Sequence, residues 1–368
     1  MRSEENYLSH YANDRDNNFN LMRFIAATLV LISHSFALAL GSSEFEPMKT
    51  TLNITWGSIA VDIFFITSGF LIAKSFIFSK NILSFAWARL IRIYPGLIVV
   101  IALTVFVLGP VFTELTITDY FSQKQTLKYL IKNTLLIFGI EYNLPGVFLN
   151  NPSGPAINGS LWTLPYEVKM YALLAIALIV SRSLGNKVIN FKGKYFILLL
   201  AFIAFNSHIA NSFFDFSQSN FLRLFTMFFV GSAFYFYKDK ILLSSKLALI
   251  LFIAVMIAPF NKEAFYIVYC FALPYLVFYL AYIPRGKIRA FNNFGDYSYG
   301  IYIYAFPVQQ VVAALITNVS VVEMIVISFF VTLFLAALSW HLIEKHSLKL
   351  KRNPFFLKLK LAPQKNVT

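Results

Sequence analysis

Charged residues and cysteines are scarce in this chain of 368 residues, and each shortage excludes a class of protein. Asp, Glu, Lys and Arg make up 13% of the sequence, whereas soluble domains average about 25%. The single cysteine, Cys270, excludes an intrachain disulfide framework and a metal site built from several cysteines. Hydrophobic residues instead reach 58%, and the mean hydropathy is +0.67. The composition therefore predicts a polytopic membrane protein.

Long apolar stretches define the domain organisation. A membrane helix needs about 20 mostly apolar residues, and about ten stretches qualify. We expect an all-α transmembrane bundle over 19–345, preceded by a cytoplasmic segment at 1–18 and followed by a basic cytoplasmic tail at 346–368. The predicted spans are 19–41, 57–78, 93–112, 160–181, 194–212, 220–237, 246–260, 264–283, 297–317 and 320–344.

The distribution of positive charge sets the predicted orientation. A shorter apolar stretch at 127–140 carries Lys128 and Lys132, and we expect it to be re-entrant or interfacial rather than a span. Most of the 31 Lys and Arg then fall on the side of the N-terminus, which predicts that both termini are cytoplasmic. Membrane orientation and attraction of the tail to anionic lipids thus account for the net charge of +14. We expect no nucleic-acid partner.

His34 is an ionisable side chain inside the first predicted span. Arg23 precedes it by eleven residues, which on an α-helix is a rise of about 16 Å with a change in direction of only about 20°. The two side chains therefore share one helix face. An ionisable group inside a membrane is a functional hypothesis by default; the alternative is a core histidine hydrogen-bonded to a neighbouring helix.

Two carboxylates are predicted at the depth of His34. Helix rise places His34 and Glu167 about 10 Å below the outer surface, and Asp62 about 7 Å below it. A histidine oriented by a carboxylate is the arrangement of a general base. The sequence leaves open which of Asp62 and Glu167 is the partner. Either carboxylate could instead form a hydrogen bond that only holds helices together.

Arginines cluster near the opposite, cytoplasmic face. Arg23, Arg89 and Arg92 could hold phosphates through bidentate contacts, although ordinary positive-inside anchoring would also place them there. An extended ligand such as acetyl-CoA would reach from these arginines to His34. Ser68 and Gly69 lie between the two levels, where small residues permit either a narrow channel or plain close packing of helices.

These segments together resemble acyltransferase family 3, the integral-membrane acyltransferases, over about residues 19–345. The resemblance is carried by Arg23-x10-His34, VDIFFITSGFLI, RLIRIYP, GSLWTLPYEVKMY and SYGIYIYAFP. It implies a ten-helix fold, with His34 as the catalytic histidine and Arg23, Arg89 and Arg92 in donor binding. The chain departs from the family at Ala305, where many members have a histidine.

The resemblance also implies a reaction. We expect transfer of an acyl group, most simply acetyl, from cytoplasmic acetyl-CoA to a sugar hydroxyl of a surface polysaccharide such as lipopolysaccharide O-antigen or exopolysaccharide. His34 would deprotonate the hydroxyl or carry the acyl group briefly, without a metal. We expect Trp162, Tyr166 and Tyr299 to bind the acceptor, a glycan or lipid-linked glycan, and the protein to lie in a bacterial inner membrane.

Other readings of the sequence remain open. A transporter or flippase could use His34 and an Asp as a proton relay, although the internal symmetry common in transporters is not evident. An acyltransferase could also act on a small acceptor that is not a polysaccharide, or transfer a chain longer than acetyl.

Overall fold

The computed structural model describes residues 6–12, 14, 16–183, 189–213 and 220–352, and within these ranges the regular structure is helical, without a β-strand. The apolar character and length of the segments explain the helices, because only internally hydrogen-bonded backbone is stable in lipid. The main helices are α1 (Phe19–Leu40), α2 (Trp56–Phe78), α3 (Ile82–Leu103), α4 (Lys124–Leu135), α5 (Leu164–Ser183), α6 (Ile189–Phe213), α7 (Asn220–Phe236), α8 (Ser245–Ile257), α9 (Lys262–Tyr282), α10 (Ser298–Leu315) and α11 (Val321–Ser339).

Seven helical segments in the described part of the chain are long and apolar enough to cross a membrane. All ten predicted spans coincide with helices, but α7 and α8 belong to shorter apolar segments, and α10 is not among the seven. A total of ten spans and the orientation of the termini therefore stay predictions. The seven segments are Phe19–Leu40, Trp56–Phe78, Ile82–Phe112, Gly159–Ser181, Gly193–Ala210, Lys262–Tyr282 and Val321–Lys349.

The stretch predicted not to cross forms the amphipathic helix α4. Its twelve residues span about 18 Å, which is shorter than the roughly 30 Å hydrocarbon core. Leu127, Ile131 and Leu135 are exposed along one side, as in helices that lie in the membrane interface. Asn133 hydrogen-bonds the backbone of Glu141, which ties the end of α4 to the loop that follows.

The chain divides into two compact units. The first contains Met1–Arg23, Ile59–Phe78 and Lys169–Gly295. Its core is aromatic: the fully buried Phe70 ring contacts the rings of Phe19, Tyr235, Phe278 and Tyr282.

Two glycines bring α2 and α7 into close contact within this unit. A Cβ atom added at Gly69 would lie 1.9 Å from the carbonyl oxygen of Phe228, and one added at Gly231 would lie 2.1 Å from that of Ile66. The Ser232 hydroxyl also donates to the Gly69 carbonyl at 3.1 Å. Close packing of helices therefore accounts for Gly69 in the FFITSGFLI segment, whereas the donor-binding role of Ser68 and Gly69 stays a prediction.

The second unit contains Phe24–Ser58, Ser79–Val168 and Asp296–Thr368. Part of its core is formed by Leu38, Phe306, Val312, Val319 and Met324. Helix α10 contributes residues to this core and packs closely against α11, where the hypothetical Cβ of Gly300 would lie 2.8 Å from the Cα of Ala336. This helix also contains Phe306, whose ring contacts His34, and Gln309, which hydrogen-bonds α1.

Candidate active site

His34 lies in α1 with a partly buried side chain. Its ring meets that of Phe306 edge to face, with centroids 5.2 Å apart. Its Nδ1 atom is buried and has no hydrogen-bond partner among the residues that the structure describes. The alternative prediction, a core histidine hydrogen-bonded to a neighbouring helix, finds no support at Nδ1 and stays a prediction for the rest of the ring. The imidazole keeps a nitrogen able to accept or donate a proton.

One face of α10 organises the surroundings of His34. Tyr299, Tyr302, Phe306 and Gln309 recur at helical spacing. The Gln309 side-chain amide donates to the Leu31 carbonyl at 2.8 Å and to Ser35 Oγ at 2.7 Å, so it binds α1 on both sides of His34 in sequence. Gln309 was not predicted from the sequence, although two adjacent glutamines inside an apolar helix were a signal.

The turn before α5 packs against the same face of α10. A Cβ at Gly159 would lie 2.5 Å from the Phe306 ring, so only glycine fits here without movement. Asn158 Nδ2 donates to the Ile303 carbonyl at 2.8 Å. The Tyr302 hydroxyl donates to the Ser160 carbonyl at 2.7 Å. The NGS turn therefore lies beside Phe306, the aromatic neighbour of His34.

Glu46 is a second residue near His34 in sequence that was not predicted. It lies between α1 and α2 and is only 2% exposed. Ser33 Oγ donates to one carboxylate oxygen at 2.8 Å, and the Trp56 backbone N–H donates to the other at 2.7 Å. Burial raises the pKa of this carboxyl, and these hydrogen bonds oppose the shift. Glu46 thus joins the start of α2 to the residue before His34.

The residues predicted to bind the acceptor lie in the second unit, as His34 does. Glu167 is in the first turn of α5, within electrostatic reach of the hydroxyls of Tyr299 and Tyr302. The rings of Trp162 and Tyr166 meet nearly at right angles, with centroids 5.8 Å apart. Tyr299 is buried and donates to the Ile93 carbonyl at 2.7 Å. Acceptor binding by Trp162, Tyr166 and Tyr299, and orientation of His34 by Glu167, stay predictions.

Arg92 has carboxylate partners in the second unit. Its guanidinium hydrogen-bonds Asp296 and lies 3.9 Å from a carboxylate oxygen of Glu344. Arg89 lies one turn earlier on α3, on the same face. Any phosphate bound by Arg92 would share the guanidinium with Asp296. Donor binding by Arg89 and Arg92 stays a prediction.

Asp62 and Arg23 belong to the other unit. The Tyr269 hydroxyl donates to one Asp62 oxygen at 2.8 Å, and Arg223 Nε lies 3.6 Å from the other. Asp62 therefore joins α2 to α7 and α9. Such a contact between helices is what the alternative prediction for this carboxylate described. Arg23 lies over the Phe64 ring, 5.8 Å from its centroid. Orientation of His34 by Asp62 and donor binding by Arg23 stay predictions.

Comparison with known proteins identifies the family. A family model described as an acyltransferase domain matches residues 16–342, nearly the whole chain. The chain belongs to acyltransferase family 3. An O-acetyl transferase of Shigella phage Sf6 is 32% identical over 91% of this chain and 96% of its own length. Nodulation protein 10 of Rhizobium leguminosarum bv. viciae is 29% identical over 96% of this chain and 99% of its own length. No solved structure matches.

Together with its apolar helices, the family makes this chain an integral-membrane acyltransferase. Its departure from the family pattern at Ala305 has a clear position in the structure. Ala305 is buried in α10, 1% exposed, immediately before Phe306. In this acyltransferase the neighbour of His34 from α10 is therefore an aromatic ring, and residue 305 contributes only a methyl group.

Proposed function

We propose that this acyltransferase transfers an acetyl group from acetyl-CoA to a sugar hydroxyl of a bacterial surface polysaccharide, with His34 as the catalytic base. The observation that carries the proposal is the buried Nδ1 of His34, which has no partner among the described residues. A general base needs such a nitrogen within reach of substrate. The name of the phage relative, O-acetyl transferase, supports acetyl as the group and oxygen as the acceptor atom.

The proposed reaction is a direct transfer. Nδ1 of His34 removes the proton as the acceptor oxygen attacks the thioester carbonyl carbon. The carbon–sulfur bond then breaks, and the CoA thiolate leaves and takes up a proton. In an alternative course, His34 attacks the thioester itself and carries the acetyl group until the hydroxyl displaces it. Release of CoA before acceptor is added would favour the second course.

Donor recognition is proposed at Arg23, Arg89 and Arg92. Guanidinium groups hold phosphates through paired hydrogen bonds, and acetyl-CoA carries its phosphates far from its thioester. Along α1, His34 lies about 16 Å beyond Arg23 by helix rise, which suits an elongated donor. We place the enzyme in a bacterial inner membrane, where cytoplasmic acetyl-CoA can meet a glycan or lipid-linked glycan.

A comparison of surface glycans tests the function. Cells that express the wild-type protein should carry acetyl groups that are absent from cells expressing His34→Gln, as a mass difference in the purified polysaccharide. His346→Gln is the matched control, because His346 is exposed in a short helix after α11. Full acetylation in the His34→Gln cells would show that His34 is not the base.

The transporter or flippase alternative predicts a different outcome. Such a protein would not consume a thioester, so purified protein would leave acetyl-CoA intact whether or not extracted glycan is present. A small acceptor would give acetyl-CoA consumption without any change in the mass of the surface polysaccharide.

A further inference from the structure

Four buried polar atoms in α10 and the segments that pack against it have no hydrogen-bond partner in the described part of the chain. They are His34 Nδ1, Asn158 Oδ1, Ser160 Oγ and Gln309 Oε1. Asn158 is 2% exposed, and Ser160 and Gln309 are fully buried. Buried polar atoms are nearly always paired in folded proteins, and an unpaired one is destabilising. Four such atoms in α10 and the segments beside it therefore require an explanation.

Three of the four atoms belong to segments that pack on one stretch of α10, and the fourth, Gln309 Oε1, belongs to α10 itself. Asn158 bonds the Ile303 carbonyl, Gly159 meets the Phe306 ring, and the same ring contacts His34. Gln309 is the next residue on this face and binds α1 at Leu31 and Ser35. From Ile303 to Gln309 the helix rises only about 9 Å. We call these four residues the open polar cluster.

The hydrogen bonds determine which atoms of the Asn158 and Gln309 side-chain amides remain without a partner in the described part of the chain. The amide nitrogen of Asn158 donates to a backbone carbonyl, and that of Gln309 donates to a carbonyl and a hydroxyl. A carbonyl accepts only from a donor, so the nitrogen must face it and the amide oxygen must face away. The open polar cluster thus presents two amide oxygens, one hydroxyl and one imidazole nitrogen.

This set of atoms matches a ligand rich in hydroxyl groups. Amide oxygens accept from O–H donors, whereas a thioester carbonyl or a phosphate would require donors from the protein. We propose that Asn158, Ser160 and Gln309 bind adjacent hydroxyls of the acceptor and present one hydroxyl to His34. The inference rests on the proposed function and assigns the acceptor, a polyhydroxylated sugar, to this side of α10.

Ser160→Ala is the most informative variant. It removes a hydroxyl that has no partner among the described residues, so it should leave thermal stability unchanged or slightly higher. If the hydroxyl binds acceptor, the KM for acceptor should rise about five- to tenfold, as expected for the loss of one hydrogen bond. Gln309→Met should raise the same KM and also lower stability, because it removes two bonds to α1.

The matched control is Thr332→Val. Thr332 Oγ1 in α11 is likewise buried without a partner in the described ranges, but it is not part of the open polar cluster. This nearly isosteric change removes a comparable hydroxyl. It should leave the KM for acceptor and the KM for acetyl-CoA unchanged. Equal effects of Thr332→Val and Ser160→Ala would mean that the loss of any buried hydroxyl causes the change.

The assay uses full-length purified protein, acetyl-CoA, and surface glycan extracted from cells that express His34→Gln. We expect Ser160→Ala and Gln309→Met to raise the KM for glycan selectively, with the KM for acetyl-CoA unchanged. An unchanged KM for glycan in both variants would overturn the inference while leaving the proposed function intact. If wild-type protein transfers no acetyl group to this glycan, the proposed function fails, and the inference fails with it.

Discussion

Substituting Gly69 by alanine tests whether this residue serves helix packing. Its hypothetical Cβ would lie 1.9 Å from the Phe228 carbonyl oxygen, whereas ordinary contacts begin near 3.4 Å. Helices α2 and α7 would therefore have to separate by about 1.5 Å. Because the obstacle is backbone rather than a flexible side chain, the cost should reach the upper end of the overpacking range, about 3 kcal/mol.

Two further glycine substitutions calibrate this prediction. Gly231→Ala meets the Ile66 carbonyl oxygen at 2.1 Å and should cost about the same, although no donor channel was predicted at Gly231. Gly139→Ala has nothing within 4 Å of the added Cβ, so only its positive φ opposes the change, at about 1 kcal/mol.

Denaturant titration of the three purified variants in detergent gives the free energies of unfolding, and the KM for acetyl-CoA is measured on each folded variant. We expect Gly69→Ala and Gly231→Ala to be similarly destabilised, both more than Gly139→Ala. A Gly69→Ala protein as stable as wild type, with a raised KM for acetyl-CoA alone, would refute the packing argument and favour a donor channel.

Three other substitutions test single contacts. Burial raises the pKa of Glu46 above its usual 4.5. This carboxyl therefore contributes stability at low pH that is lost as the pH rises through its pKa in the folded protein. Glu46→Gln should remove this loss, so the thermal midpoint should fall less steeply with rising pH than in wild type. Asp296→Asn weakens a partly exposed ion pair with Arg92 and should cost about 1–3 kcal/mol in a denaturant titration, less than a fully buried pair; unchanged stability would contradict this. Gln310→Leu breaks bonds to the carbonyls of Gly154 and Ala156, so limited proteolysis should cut the loop at 142–158 faster than in wild type.

Local pattern was sufficient to predict the helices and to single out His34 as a candidate catalytic residue. An apolar run of about 20 residues has few alternatives to a helix in a membrane, so the predicted spans coincide with helices in the structure. The amphipathic helix α4 was predictable for a different reason, because its lysines and its short length oppose a full crossing. The ionisable residue in α1 was visible because lipid makes such residues rare.

Partners distant in sequence were not predictable. The apolar pattern placed Asp62 inside a helix, but its contacts with Arg223 and Tyr269 come from helices more than 150 residues later. Local pattern singled out Arg92 as a candidate for donor binding, whereas its partner Asp296 follows it by 204 residues. Gly69 was predicted either to line a channel or to pack against another helix, and its close approach to the Phe228 carbonyl joins helices that are distant in sequence.

The most direct test of the central claim is thioester consumption by purified protein. Wild-type protein with acetyl-CoA and glycan extracted from cells expressing His34→Gln should release CoA and acetylate the glycan, and His34→Gln protein of equal thermal stability should do neither. Equal acetylation by the two proteins would contradict the assignment of His34 as the catalytic base.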